Sequence, residues 1–152
     1  MLPLPKKYFI TAASAEGKTK LTAFDTALLN ANIGNVNLLR VSSILPPGAE
    51  FTPGLTIPAG SLVPVAYGSI VSDIPGDKIA AAVGIGISED SFGVIMEFSG
   101  RCGKDEAEEM IRKMVTEAFA TRKIPLLEIK VASVEHQVVD IGCAFAAVPL
   151  WY

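Results

Sequence analysis

Residues 51–72, FTPGLTIPAGSLVPVAYGSIVS, are the longest stretch of the chain without a charged side chain, and Pro53, Pro58, Pro64, Gly54, Gly60 and Gly68 interrupt it. A membrane-spanning helix must satisfy its own backbone, and breakers at this spacing prevent that. The stretch reads instead as short strands separated by Pro and Gly turns. That exclusion matters for the whole chain, because 152 residues at 50% hydrophobic and 19% charged are apolar for a soluble protein. Near the N-terminus, Lys6 and Lys7 precede an apolar run over 8–13 that is too short for a signal peptide. The chain therefore reads as one soluble, cytoplasmic domain, with part of its apolar surface covered by other subunits.

Charge and rare residues narrow the chemistry. Thirteen Lys and Arg against sixteen Asp and Glu give a net charge of −3. No basic stripe is present, so a nucleic-acid role has no electrostatic footprint. Cys102 and Cys143 form no CxxC pair, and His136 is the only histidine. These are too few ligands for a Cys/His zinc site, and too few groups for a His-centred triad with an orienting network. Two cysteines give no disulfide framework and suit a reducing compartment. Any enzyme chemistry must come from Ser, carboxylates, Lys or something made from them.

Periodicity sketches the fold. Thr22 is the candidate cap of a helix over 23–33, with Asp25 in its first turn and Gly34 as its stop. A strand over 36–42 follows, ending before Pro46-Pro47. Residues 79–87 (IAAAVGIGI) and 93–98 (GVIMEF) read as buried strands. The clearest helix spans 105–122, with Ala107, Met110, Ile111, Met114, Val115, Ala118 and Phe119 as its apolar stripe. Strands near 127–134 and 137–147 complete an α/β arrangement in which sheets pack in layers with helices outside.

Several residues invite a functional reading. Gly84-Ile85-Gly86 lacks the third glycine of a dinucleotide loop, so two glycines in a crowded strand is the favoured reading. His136, between Glu135 and Gln137, reads as a surface residue. The acidic start of the 105–122 helix reads as a solvated face. Glu97 is the one charge in a strand-forming run. Alternation puts Ile95, Glu97 and Ser99 on one face and Val94, Met96 and Phe98 on the other. If its face is apolar, Glu97 has a raised pKa and can donate a proton near neutrality; if its face is solvent, it does nothing. Asn37 is equally open between pairing with a strand end and orienting a ligand. Ser42-Ser43 closes a strand, where a turn is the usual explanation. A strained junction there can also pass through an N-to-O acyl shift, elimination to dehydroalanine and hydrolysis to a pyruvoyl group.

Taken together, AFDTALLN (23–30), IGNVNL (33–38), VSSILPP (41–47), GVIME (93–97) and GCAFAA (142–147) resemble the pyruvoyl-dependent arginine decarboxylases over nearly the whole chain. GNVNL followed by SSI and a Pro-Pro pair is the specific part. The resemblance implies cleavage between Ser42 and Ser43 into fragments 1–42 and 43–152, with the pyruvoyl group formed from Ser43. It implies an L-arginine decarboxylase that forms a Schiff base with the substrate amine, releases agmatine and carbon dioxide, and needs neither metal nor pyridoxal phosphate. Glu97 matches the proton donor, and Asn37 an asparagine that positions the reacting group or assists processing. Asp25 matches the carboxylate for the substrate guanidinium, with Leu21, Gly34, Val36 and Ser42 as pocket positions. The implied fold is a strand-rich αββα sandwich with one long amphipathic helix, assembled as a trimer with sites at protomer boundaries. Asn32 departs from the pattern, which has glycine there, as does the loop over 50–60. Decarboxylation of another amino acid, and an uncleaved oligomeric binding protein of the same fold, are the alternatives.

Overall fold

A computed structural model describes residues 2–152 as a strand-rich α/β structure with two helices and two sheets. In chain order the elements are β1 (Lys7–Tyr8), β2 (Thr11–Glu16), α1 (Lys20–Asn30), β3 (Asn37–Arg40), β4 (Ile44–Leu45), β5 (Glu50–Phe51) and β6 (Leu62–Ser72). They continue with β7 (Lys78–Ile87), β8 (Gly93–Gly100), α2 (Lys104–Arg122), β9 (Glu128–Gln137) and β10 (Gly142–Trp151). The first sheet runs β3-β6-β10-β1-β5, with β2 beside β1 on the same edge of β10; the second runs β4-β8-β7-β9. Among the described residues, no helix is long and apolar enough to cross a membrane.

Strand alternation divides the apolar residues into three cores. Ala66 of β6 and Ala144, Ala146 and Val148 of β10 meet Ala81, Val83 and Ile85 of β7 and Ile95 of β8 between the sheets. The opposite face of the first sheet, through Val65, Cys143, Phe145 and Ala147, packs on Ala23, Ala27 and Leu28 of α1. The opposite face of the second carries Ala80, Ala82 and Val94 against Ala107, Ile111, Val115 and Phe119 of α2. Each fully buried Ile, Val or Phe contributes roughly 1.5–3 kcal/mol of transfer free energy.

The glycines of 79–87 belong to that packing. A Cβ at Gly84 would strike Ile111, and one at Gly86 would strike Val115 and Phe119, so both make room for α2. Gly93 also sits close to Leu45 of β4, so an added Cβ would crowd it.

Several boundaries differ from the sequence reading. The cap of α1 is Thr19, not Thr22. Thr19 Oγ1 accepts from the Thr22 N–H at 3.1 Å and Thr22 Oγ1 accepts from the Thr19 N–H at 3.0 Å, a reciprocal capping box. The helix therefore starts and ends three residues earlier than read, and Asp25 lies past its first turn. Asn32 follows it with φ 65°, a left-handed conformation that asparagine tolerates much as glycine does. Residues 62–72 form one strand rather than several. Pro64 breaks no rung of it, because its Cα partner Leu39 bonds to the residues on either side, and pairing with β10 stops at Val65.

His136 is not a free surface residue. Its Nε2 pairs with Glu16 Oε2, and Glu16 also accepts from the N–H groups of Asp140 at 2.8 Å and Val139 at 3.3 Å. This clip ties the end of β2 to the β9–β10 turn. Cys102 and Cys143 are both free thiols, and burial pushes Cys143 up to about 12.

Candidate active site

The chain changes sheets at Ser42-Ser43. On one side of that dipeptide the Val41 N–H donates to Val65 O of β6 at 2.9 Å; on the other, Ser43 O accepts from the Ile95 N–H of β8 at 2.7 Å. Ile44 then pairs with Val94. The peptide bond between the two serines thus spans the gap at the sheets' edge. Ser42 is exposed and Ser43, at a bend, is half-buried.

Glu97 stands on the strand that holds the Ser43 carbonyl, two residues along and on the same face as Ile95. That face looks into the space between the sheets, not to solvent: Ile95 belongs to the inter-sheet core, and a Cβ built on Gly68 of β6 would lie 3.3 Å from Glu97 Cβ. Burial pushes the Glu97 carboxyl up from its ordinary value, and the Arg40 guanidinium pulls it part of the way back. Next on this face, Ser99 Oγ donates to Ser69 O at 3.0 Å and so fixes the spacing of the sheets beside the carboxyl.

The other candidate residues lie elsewhere on the chain. Asn37 starts β3; the four extended residues from it to Val41 cover about 13 Å, more than an asparagine side chain reaches. Its Nδ2 donates to Gly60 O at 3.1 Å. Gly34 and Val36 line a cleft of about 510 Å³ together with Pro53, Leu55 and Ile57. Gly34 also has a packing reason, since a Cβ there would run into Leu29. Leu21 and Asp25 are exposed on α1, which covers the face of the first sheet away from Glu97. One chain therefore brings Ser42, Ser43 and Glu97 together, while Asp25, Leu21, Gly34, Val36 and Asn37 lie away from them.

The sequence reading missed Arg40, Tyr67 and Gly68. Arg40 Nη2 donates to Tyr67 O at 2.7 Å, and its guanidinium carbon lies 4.2 Å from the centroid of the Tyr67 ring. A signal for it existed, because Arg40 is the only charged residue between Asp25 and Glu50. Tyr67 and Gly68 gave none, since their importance comes from the facing strands. Among the described residues, no three His, Cys, Asp or Glu side chains gather as a metal site requires.

The model of the family described as pyruvoyl-dependent arginine decarboxylase (PvlArgDC) matches residues 7–151. The chain belongs to this family. A pyruvoyl-dependent arginine decarboxylase of Methanocaldococcus jannaschii is 52% identical over 151 residues, covering 98% of this chain and 92% of that one. Proteins with the same description from Thermococcus kodakarensis and Pyrococcus abyssi are each 51% identical. They cover 97% and 94% of this chain, and 96% and 92% of their own lengths. Membership of a pyruvoyl-dependent family implies a covalent pyruvoyl group.

Proposed function

We propose that this chain is a self-processing decarboxylase that converts L-arginine to agmatine and carbon dioxide. The observation that carries the reading is the Ser42-Ser43 bond bridging two sheets beside the half-buried Glu97. In processing, Ser43 Oγ attacks the Ser42 carbonyl carbon and the peptide C–N bond breaks, leaving an ester and a free amine. Loss of the Ser43 α-proton expels Ser42 as a carboxylate, and water then replaces the nitrogen, which leaves as ammonia. The products are fragments 1–42 and 43–152 of one domain with an αββα sandwich fold.

The residues fit such a group: a serine hydroxyl is available, and the carbonyl on its far side is already anchored by the Ile95 N–H. Once formed, the pyruvoyl group supplies a carbonyl system that accepts electrons as carbon dioxide leaves the substrate. Glu97, whose carboxyl burial pushes up from its ordinary value so that it holds its proton more tightly, delivers the proton to the substrate α-carbon. Asp25 pairs with the guanidinium of arginine, a planar cation suited to a carboxylate fork. Leu21, Gly34, Val36 and Ser42 line the pocket, and Asn37, out of reach of Ser43 in its own chain, positions the reacting end or assists cleavage in a neighbouring protomer's site.

The place of Asp25 and Leu21 on α1, behind the first sheet from Glu97, supports a site built from two protomers; the assembly proposed is a trimer in the cytoplasm. Leu21, at 75% exposed, together with Leu29, Leu39 and Leu62, gives apolar surface suited to such contacts.

Intact-mass measurement of the purified protein tests the reading. The expected result is two fragments, the larger reacting with a hydrazine at its N-terminus, together with carbon dioxide release from arginine. A single intact chain, or cleavage that persists in Ser43→Ala, overturns it.

A further inference from the structure

The ladder between β3 and β6 stops one rung short of where its register leads. Asn37 N–H donates to Ser61 O at 2.8 Å and Val41 N–H to Val65 O at 2.9 Å. Parallel pairing advances two residues on each strand per rung, so the next rung is Ser43 N–H to Tyr67 O. Arg40 occupies that place instead. Its Nη2 takes the Tyr67 oxygen at 2.7 Å, and its guanidinium rests on the ring of the same tyrosine.

We propose that Arg40, seated on Tyr67, is a positioning residue for self-cleavage: it substitutes for the Ser43 N–H in the sheet and so frees the Ser42-Ser43 peptide to react. This rests on the reading that the bond between those serines is the one cleaved. The chemistry gives the substitution its purpose. A rung through the Ser43 N–H would hold the scissile peptide in line with β3, opposing the turn that attack by its own side chain requires. The same nitrogen becomes an amine in the first step and leaves as ammonia in the last. A rung that depended on it would disappear during maturation and leave the edge carbonyl of Tyr67 without its donor. Arg40 supplies a donor that no step consumes. A guanidinium suits this place because it donates in its plane while its face stacks on the ring.

The test is the rate of conversion of newly made chain into its two fragments, followed by intact mass in a cell-free pulse and chase. Melting temperature is measured alongside for each variant. Loss of a charge-assisted hydrogen bond at the reacting segment is expected to slow conversion about tenfold or more in Arg40→Met. Arg40→Lys, which keeps a cation and a donor, is expected to recover part of that rate. Tyr67→Leu, which removes the seat but leaves the carbonyl, is expected to slow conversion by a smaller factor. A merely structural role predicts lowered melting temperatures with wild-type conversion in the folded chains; that result overturns the proposal. So does an Arg40→Lys chain as slow as Arg40→Met at equal melting temperature. A wild-type chain that never converts overturns the cleavage reading itself, and is told apart by the absence of fragments in every sample.

Discussion

Gly68 on β6 and Glu97 on β8 face each other across the inter-sheet space with no side chain between them. A Cβ added to Gly68 would lie 3.3 Å from Glu97 Cβ and 3.4 Å from the Phe98 backbone. The bare Cα lets the carboxyl stand between the sheets, and the Ser99–Ser69 hydrogen bond prevents them from parting to admit more. Gly68→Ala gains up to about 1 kcal/mol from reduced backbone freedom in the unfolded chain. Overpacking between clamped sheets costs about 1–3 kcal/mol, so the net effect is destabilising, and larger for Gly68→Val. Urea midpoints check this, and carbon dioxide release from arginine is expected to fall in the same order. An alanine variant as stable and active as wild type would show that the clamp yields.

Glu97→Gln separates the acid from its burial. A carboxyl whose folded pKa exceeds its ordinary 4.5 holds its proton more tightly in the folded chain. Its contribution to stability is full below the unfolded pKa and is lost as pH rises through the raised one. The glutamine does not titrate. Its stability should therefore gain on wild type as pH rises from about 4 to 8, while turnover falls roughly a hundredfold or more. Denaturation midpoints across that range check the first part. A stability gap that stays constant with pH is the failing result.

The Glu16 clip behaves oppositely. Partial burial pushes this carboxyl up, but the hydrogen bond from His136 and the two backbone N–H groups outweigh it and hold it below its ordinary 4.5. Its contribution is present above the unfolded pKa and is lost as pH falls through the folded one. Glu16→Ala removes the acceptor of two exposed turn N–H groups, at about 0.5–1.5 kcal/mol near neutrality. The deficit relative to wild type is expected to shrink in acid, as measured by thermal unfolding at stepped pH.

What the sequence made legible depended on periodicity. The stripe of α2 and the alternation of β8, including which residues share Glu97's face, follow from spacing alone. What fills the opposite side of a face does not follow from spacing. The Glu97 face could be read as solvent until Gly68 of another sheet was seen against it. The cap of α1 was misread because Thr19 and Thr22 are equivalent candidates three residues apart, and their reciprocal bonds use both. The single strand over 62–72 was hidden by Pro64 and Gly68, which break most strands. One is tolerated because its missing N–H meets no partner, the other because a carboxyl needs the room. His136 found its acceptor 120 residues away, which no local pattern reveals.

The separation of Asp25 from Glu97 in one chain makes a quantitative prediction about shared sites. Asp25→Asn and Glu97→Gln chains, each made alone, spoil every site and should be nearly inactive on arginine. Co-expressed in equal amounts and assembled at random, they form mixed closed rings. If each site takes Glu97 from one protomer and Asp25 from its neighbour, a site is intact when the first carries only Asp25→Asn and the second only Glu97→Gln. Two independent choices of one in two leave about a quarter of the sites intact, so activity should return to roughly a quarter of wild type. Sites built within single chains predict no recovery at any mixing ratio. Mixing the two proteins after purification controls for exchange, and carbon dioxide release measured against the fraction of each chain by mass distinguishes the two outcomes.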